Sequence, residues 1–212
     1  IAHAYLSTGP RGVGKTSLAR ILAKSLNCVN GPTTTPCNAC SNCLEITAGT
    51  SPDVIEIDGA SNTSVDDIRE LQRELLYPAS SSNYKIYIID EVHMLSKNAF
   101  NALLKTLEEP PDNVIFIFAT TEPQKVLPTI ISRCQRYDFK RIPIASIVQR
   151  LQEISILEGI KIDSESLYLI ARKADGGMRD ALSLMDQAIS YCLNNITIDK
   201  VRQIFGMIPN QV

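Results

Sequence analysis

The stretch GPRGVGKT, residues 9–16, decides the fold of this 212-residue chain. It follows a short apolar segment, AYLS at residues 4–7, and opens a segment at residues 15–26 whose apolar side chains recur at helical spacing. A strand, a glycine-rich loop and a helix in this order predict a P-loop, whose backbone N–H groups and helix N-terminus face phosphate oxygens. A turn that matches by chance is the alternative. The residues expected to contact the nucleotide are Gly9, Arg11, Gly12, Val13, Gly14, Lys15, Thr16 and Ser17.

An acidic pair at a later strand end is expected to complete this site. The apolar run KIYIID, residues 85–90, ends in Asp90, and Glu91 follows it directly. Asp90 and Thr16 can ligate Mg²⁺, while Lys15 reaches the outer phosphates of ATP. Glu91 can polarise an attacking water, which favours hydrolysis over phosphoryl transfer to a small substrate. A solvated acidic turn is the alternative for the pair.

A third strand end carries two hydroxyl groups. The run VIFIFAT, residues 114–120, ends in Thr120, and Thr121 follows. A hydroxyl here can hydrogen-bond the γ-phosphate or its water. We predict that Thr120 has this role, and Thr121 is the second candidate. The alternative is that both threonines only cap a loop.

Strand and helix patterns alternate along the first two thirds of the chain. Continuous β-branched strands are typical of a parallel sheet covered on both faces, which predicts a three-layer α/β/α domain. The predicted strands are residues 4–7, 53–58, 85–90, 114–120 and 136–139, and the predicted helices between them are residues 15–26, 65–76 and 98–108. Four further helices are predicted at residues 143–158, 164–174, 178–194 and 199–205. We therefore predict a P-loop domain over residues 1–141 and a small helical domain over residues 142–212.

Composition and charge exclude several classes of protein. A net charge of −2 and a pI of about 5.8 argue against a polybasic nucleic-acid binder, so DNA contacts would come from a few placed residues or from other subunits. The chain has no apolar run near the roughly 20 residues of a membrane helix and no signal peptide. Six cysteines without a secretion signal favour a reducing cytosol over a disulfide framework. Because the chain starts at Ile1 and enters a strand almost at once, we expect a piece of a longer protein.

Four of the six cysteines form a cluster behind the P-loop helix. Cys28, Cys37, Cys40 and Cys43 have the spacing C-x8-C-x2-C-x2-C, in which short steps let thiolates converge on one ion. Four thiolates make a closed structural site. An iron–sulfur cluster is the rival, although the expected cysteine–proline continuation is missing, and unligated reduced cysteines are the alternative. Cys134 and Cys192 are expected to be buried apolar residues.

Several longer motifs carry a family resemblance. They are DEVHMLSKNAFNALLKTLEEPP at residues 90–111, FATTEPQKVLPTIISRCQRYDF at residues 118–139 and GGMRDALS at residues 176–183. With the P-loop and the cysteines, they resemble the AAA+ clamp-loader ATPases, and among these the gamma/tau subunits of bacterial DNA polymerase III, over nearly the whole chain. The related delta-prime subunits share SRC and the cysteines, but their P-loop is degraded, whereas this one is intact.

The resemblance implies a fold, a function and further site residues. The fold is an AAA+ module with a helical lid and a zinc-binding insertion at residues 28–43, and the function is ATP hydrolysis that drives loading of the sliding clamp onto primed DNA. The cofactors are ATP, Mg²⁺ and Zn²⁺. Partners are the delta and delta-prime subunits, further gamma/tau copies, the clamp and primed DNA, in the cytoplasm and without a membrane. Arg133 corresponds to the arginine finger that reaches a neighbouring subunit's ATP site, and Arg179 to sensor 2.

Without the resemblance, the sequence does not assign a specific role to either arginine. Arg133 can be an ordinary surface arginine. Arg179 falls in the first turn of a predicted helix, where a cation opposes the helix dipole at a cost of roughly 0.3–1 kcal/mol, so it is not placed for helix stability. An exposed salt bridge is the alternative for Arg179.

Two other functions and one DNA contact remain as hypotheses. The sequence DEVH matches the DExH box of helicases, which would require a second RecA-like domain. A zinc-stapled interaction module could bind ATP without turning it over. In the loop at residues 61–64, Asn62 and Ser64 stand where relatives often have basic residues, which leaves Arg69 as a weak DNA-contact candidate.

Overall fold

The computed structural model describes residues 1–61, 68, 71, 73–75, 77–192 and 195–206. The chain forms two compact units. The first comprises Ile1–Gly9 and Lys15–Phe139, and the second comprises Pro10–Gly14 and Lys140–Val212. The division predicted between residues 141 and 142 remains a prediction.

A parallel sheet forms the centre of the first unit. Its strands are β1 (Ala4–Thr8), β2 (Val54–Asp58), β3 (Lys85–Asp90), β4 (Val114–Thr120) and β5 (Gln135–Asp138), in the order β2-β3-β4-β1-β5. All four strand pairs are parallel, with Thr8 beside Thr120 and Asp58 beside Asp90. Parallel pairing brings the carboxyl ends of the strands, where the predicted site residues lie, to one edge.

Both faces of this sheet are covered by helices, and alternate residues of each central strand pack into one core or the other. Tyr87 and Phe116 lie in one core with residues of helices α3 (Lys97–Glu108) and α4 (Pro128–Ile131), whereas Ile86 and Ile115 lie in a second core. The second core includes residues of helices α1 (Lys15–Asn27) and α2 (Ser41–Ala48). Successive strand residues point to opposite faces, so a strand covered on both sides is apolar throughout. The three-layer prediction is confirmed.

Most predicted elements of this unit lie within two residues of the observed ones. Helix α3 begins after Ser96, whose side chain accepts a hydrogen bond from the N–H of Ala99, as an N-cap does. Helices α2 and α4 were not predicted. The helix predicted at residues 65–76 falls mostly outside the described residues. The DNA-contact candidate Arg69 also lies outside them, as do the loop residues Asn62 and Ser64.

The second unit is a helical bundle after residue 140. Its elements are α5 (Ile144–Leu157), β6 (Lys161–Ile162), α6 (Ser164–Lys173), α7 (Met178–Cys192), β7 (Asn195–Ile196) and α8 (Ile198–Ile204). Ile147, Ile170 and Met185 lie in its core. The Asp163 carboxylate accepts hydrogen bonds from the N–H groups of Ser166 and Ile198, which joins the starts of α6 and α8.

The four predicted helices of this unit are present. The last two residues of the predicted segment 178–194 lie outside the described residues, and the short β6–β7 pair was not predicted. None of the helices described is long and apolar enough to cross a membrane.

Candidate nucleotide site and cysteine cluster

Lys15 begins helix α1 with its side chain almost fully covered. The residue is 6% exposed, and its Nζ donates a hydrogen bond of 2.9 Å to the carbonyl of Gly9, which precedes the loop. Burial lowers the pKa of Lys15, while the negative charges of Glu91 and Asp90 oppose that effect. A desolvated ammonium beside two carboxylates is suited to meet the negative charge of a phosphate.

Thr16 and Asp90 form an oxygen pair beside this lysine. The hydroxyl of Thr16 donates a hydrogen bond of 2.6 Å to Oδ2 of Asp90, and the N–H of Glu91 donates one of 2.9 Å to Oδ1. Mg²⁺ prefers oxygen ligands and commonly keeps several waters with one carboxylate. A hydroxyl and a carboxylate already in contact therefore fit Mg²⁺.

Glu91 is held by the end of the neighbouring strand. Its backbone is left-handed with φ 46°, and its Oε2 accepts hydrogen bonds from the hydroxyl of Thr121 at 2.9 Å and from the N–H of Thr121 at 3.2 Å. A non-glycine residue in this region is uncommon and costs free energy that the surrounding contacts must offset. The structure thus brings Glu91 and Thr121 together.

Thr120 is fully buried beside them. Its Oγ1 accepts a hydrogen bond from the N–H of Glu122 at 3.0 Å and lies 2.9 Å from Nδ1 of His93. Sequence reasoning did not include His93 in the site, although it is the last residue of DEVH. Asp90 and Glu91 of this motif were assigned to the site, but its histidine was considered only as part of the DExH helicase alternative.

The loop residues of the second unit contact the start of helix α7. The carbonyl of Gly12 accepts hydrogen bonds from the N–H groups of Met178 at 2.9 Å and Arg179 at 3.4 Å. A Cβ on Gly177 would lie 3.2 Å from the carbonyl oxygen of Arg11, so the close approach favours glycine there. The Arg179 side chain is exposed, and within the described part of the chain it forms no ion pair.

The remaining loop residues differ in exposure. Val13 is buried and Gly14 has a positive φ of 100°, whereas Arg11 and Ser17 are exposed. The two exposed side chains lie on either side of the buried lysine in the sequence.

Arg133 contacts Glu108 and Thr129, neither of which is a predicted site residue. Its guanidinium donates hydrogen bonds to Oε1 of Glu108 at 2.8 Å and to the carbonyl of Thr129 at 2.7 Å. Within the residues described, no hydrogen bond or ion pair joins it to the P-loop or to the acidic pair.

The four clustered cysteines converge in space. Their sulfur atoms all lie within 4.8 Å of one another, and no other cluster of three or more metal-binding side chains occurs among the residues that the structure describes. Zinc–sulfur bonds of about 2.3 Å in a tetrahedron place sulfurs roughly 3.8 Å apart. The cluster therefore fits zinc after a small contraction.

Backbone donors already face several of these sulfurs. The N–H of Cys37 donates to Sγ of Cys28 at 3.4 Å, and the N–H of Cys40 donates to Sγ of Cys37 at 3.3 Å. Hydrogen bonds from the N–H groups of Val29 and Cys43 lower the pKa of Cys40 to about 6, whereas burial raises the pKa of Cys43. Donors that stabilise thiolate favour a metal ligand. Of the two isolated cysteines, Cys192 is buried as predicted, and Cys134 is only half-buried.

Two family models match the chain in succession. The model described as "DNA polymerase III, delta subunit" matches residues 1–143, and the "DNA polymerase III clamp loader subunit, ATPase lid domain" model matches residues 146–194. The chain belongs to the DNA polymerase III clamp-loader subunit family. This confirms the resemblance that the motifs indicated.

Curated relatives agree with this family, and a solved structure shares the fold. The tau subunit of DNA polymerase III from Bacillus subtilis is 56% identical over 98% of this chain and 37% of its own length. The tau subunit from Escherichia coli is 50% identical over 99% of this chain and 33% of its own length. The chain thus spans about a third of these relatives. The Thermotoga maritima RuvB Holliday junction branch migration motor has the same fold, with a TM-score of 0.69 and 17% identity over 97% of this chain and 61% of that one.

These matches confirm the predicted class of protein. The chain belongs to the clamp-loader subunits of DNA polymerase III, and residues 146–194 match their ATPase lid domain. The DExH helicase hypothesis required a second α/β domain, but residues 146–194 match the lid model, and their described part folds as helices with the single short strand β6.

Proposed function

We propose that this chain is the ATP-binding and hydrolysing motor of a replicative clamp loader, which loads the sliding clamp onto primed DNA. One observation carries the proposal: Lys15, the Thr16–Asp90 pair and Glu91 lie in mutual contact or electrostatic range at one edge of the sheet. In a clamp-loader subunit, this combination supports ATP hydrolysis.

Different groups of the chain bind the phosphates and Mg²⁺ in this proposal. Backbone N–H groups of residues 9–14 and the start of α1 receive the phosphates, with Lys15 donating to the outer ones. Thr16 and Asp90 would hold Mg²⁺, which when bound neutralises charge on the β- and γ-phosphates. Arg11 and Ser17 are exposed at the loop and remain proposed nucleotide contacts.

Hydrolysis requires a water aligned with the γ-phosphorus. Glu91 would polarise that water, whose oxygen forms a bond to phosphorus while the bond to the ADP oxygen breaks. The hydroxyl of Thr121 now bonds Glu91, so Glu91 must exchange this partner for the water. The γ-phosphate contact of Thr120 stays a prediction, because its hydroxyl is buried against the His93 ring and the N–H of Glu122.

The two arginines complete the site in our proposal. Arg133 serves as a finger for a neighbouring subunit, which accords with its half-buried side chain making no hydrogen bond or ion pair to the acidic pair among the described residues. Arg179 serves as sensor 2 of the lid, where its backbone N–H already bonds the P-loop carbonyl of Gly12.

The assembly and its location are also part of the proposal. Cys28, Cys37, Cys40 and Cys43 bind one structural zinc. The partners are the delta and delta-prime subunits, further gamma/tau copies, the sliding clamp and primed DNA, in the cytoplasm.

The test is ATP turnover by the full-length subunit as its partners are added one at a time. We expect slow turnover alone and strong stimulation once partner subunits, clamp and primed DNA are all present. Stoichiometric ATP binding without stimulated turnover in any mixture would instead support an interaction module. Unwinding of duplex DNA would support the helicase alternative.

A further inference from the structure

His93 occupies the space between the two strand ends of the candidate site. It lies in a short turn, Val92–Met94, directly after Glu91, and its side chain is 5% exposed. Nδ1 lies 2.9 Å from Oγ1 of Thr120 and 3.3 Å from Oε2 of Glu91. On the other side of the ring, Nε2 lies 3.5 Å from Oε1 of Glu122.

Nδ1 of His93 therefore faces both Glu91 and Thr120, the two side chains that we assign to the hydrolysis step. Glu91 follows β3, and Thr120 ends β4. Glu91 Oε2 also accepts both hydrogen bonds from Thr121, so the carboxylate lies between the imidazole and the neighbouring threonine. A rigid, almost fully covered ring in this position limits how the carboxylate can turn.

The Nε2 side of the His93 ring also has a polar neighbour. The carboxylate of Glu122 faces Nε2 and also pairs with Lys125 at 2.8 Å, while the N–H of Glu122 donates to the Thr120 hydroxyl. Polar groups of β4 and its following loop thus meet both ring nitrogens. A histidine kept only for packing would require neither set of contacts.

We infer that His93 is a positioning residue, which holds the Thr120 hydroxyl and the Glu91 carboxylate in register for activation of the attacking water. The inference rests on the proposed function of Glu91. His93 acts through these two groups, so its loss should reduce the catalytic constant and spare nucleotide affinity. Misplacement of a reacting group by about 1 Å can cost roughly 100-fold in rate.

Three substitutions separate hydrogen bonding from packing. His93→Phe fills the ring volume without polar contacts, His93→Asn places an amide near the Nδ1 position, and His93→Gln reaches toward Nε2. His3→Phe is the matched control, because His3 is the only other histidine in the sequence and its Nε2 is buried without a partner among the described residues.

The first measurement compares stimulated ATP turnover by full-length subunits in the assembled loader. We expect His93→Phe to lower kcat by up to about 100-fold with unchanged ATP affinity. His93→Asn should recover most of that loss, and His93→Gln less. Wild-type turnover in His93→Phe, or equal losses in the Phe and Asn variants, would overturn the inference.

A second measurement does not depend on turnover. NMR of the full-length subunit with ring-¹⁵N histidine reports the Nδ1 environment, and the resonance absent from His93→Gln belongs to His93. Thr120→Val should shift this resonance without nucleotide and leave that of His3 unchanged. An unshifted Nδ1 resonance would refute the contact itself. If the wild-type loader lacks stimulated turnover, the proposed function fails separately.

Discussion

At the residue scale, the burial of Lys15 destabilises the folded chain when no nucleotide is bound, and we propose that the same charge binds phosphate. Burial lowers its pKa, so over the range between the lowered value and the ordinary one the unfolded chain binds more protons than the folded chain. Stability therefore rises with pH across that range, and below it the charged lysine penalises the folded state in full. The P-loop keeps a cation that costs stability until a phosphate is present.

This leads to a prediction for Lys15→Met, which keeps the stem and removes the charge. Without nucleotide, the variant should melt no lower than the wild type. Wild type with Mg²⁺ and a non-hydrolysable ATP analogue at 100 times Kd should gain about 2.7 kcal/mol, and the variant should not. Calorimetry measures both effects, with Lys24→Met on the same helix as the control. An unchanged nucleotide-induced gain in Lys15→Met would contradict the P-loop assignment.

Glu91→Gln should separate binding from hydrolysis. The glutamine carbonyl can still accept the hydrogen bonds from Thr121, so the fold and ATP affinity should persist, but the amide cannot take up a proton from water. General-base contributions of about 10²–10⁴ set the expected loss in stimulated turnover. Glu109→Gln, at an exposed glutamate after α3, is the control. Rapid turnover by Glu91→Gln would remove Glu91 from the mechanism.

At the element scale, the cysteine loop is attached to the sheet through helix α1. The Asn42 side chain donates to the carbonyl of Asn27, and the Asn27 side chain exchanges two hydrogen bonds with the backbone of Tyr84, just before β3. The loop itself has few buried apolar residues, since Cys28 and Cys43 are its main covered side chains. Its order must come from the cluster, whereas β3 is held by its own neighbours.

Metal removal should therefore loosen the loop and spare the sheet. Structural zinc sites contribute about 10–16 kcal/mol in small domains, which exceeds what this loop can supply otherwise. We expect one zinc per chain by elemental analysis, and after chelation a loss of amide-exchange protection at residues 28–43 but not in β3. Cys40→Ser should lose the zinc, and Cys134→Ser should keep it. Iron in place of zinc, or protection that survives chelation, would contradict this assignment.

At the scale of the whole molecule, we expect Arg133 to act on a neighbouring subunit in the assembled loader rather than within its own chain. Its partner Glu108 is exposed, and exposed ion pairs contribute only about 0–1 kcal/mol, so the arginine is readily released. An arginine finger in other nucleotide hydrolases contributes about 10³–10⁵ in rate. Among the described residues, no arginine forms a hydrogen bond or an ion pair with Asp90 or Glu91.

Arg133→Ala should leave ATP binding by the lone subunit intact and abolish most stimulated turnover in the loader. Arg136→Ala, three residues away on β5, is the control. Mixed with Lys15→Ala subunits, Arg133→Ala subunits should regain some activity, because one working site forms where the intact finger meets the intact P-loop. Full turnover by the isolated wild-type subunit, or no recovery on mixing, would count against action in trans.

Local chemistry made much of the fold predictable from the sequence. All five strands were found within one residue at each end. The pattern is strongest in β3 and β4, which are buried on both faces and are therefore continuous apolar runs, whereas the edge strand β5 is exposed. The P-loop spacing likewise located Lys15 and Thr16 at the start of α1. The eight-residue helix α2, the four-residue helix α4 and the two-residue strands β6 and β7 were missed, because so few residues carry little periodicity.

The sequence by itself determined which residue types stand at the strand ends, and the tertiary structure decided which of them meet. Nothing in the local pattern distinguishes Thr120 from Thr121, yet one is buried on His93 and the other bonds Glu91. That difference follows from the pairing of β3 with β4, in which a shift of one residue reverses the face of every side chain. His93 lies in the site for the same reason: its partners Thr120 and Glu122 are nearly 30 residues away in sequence and become adjacent only through that register.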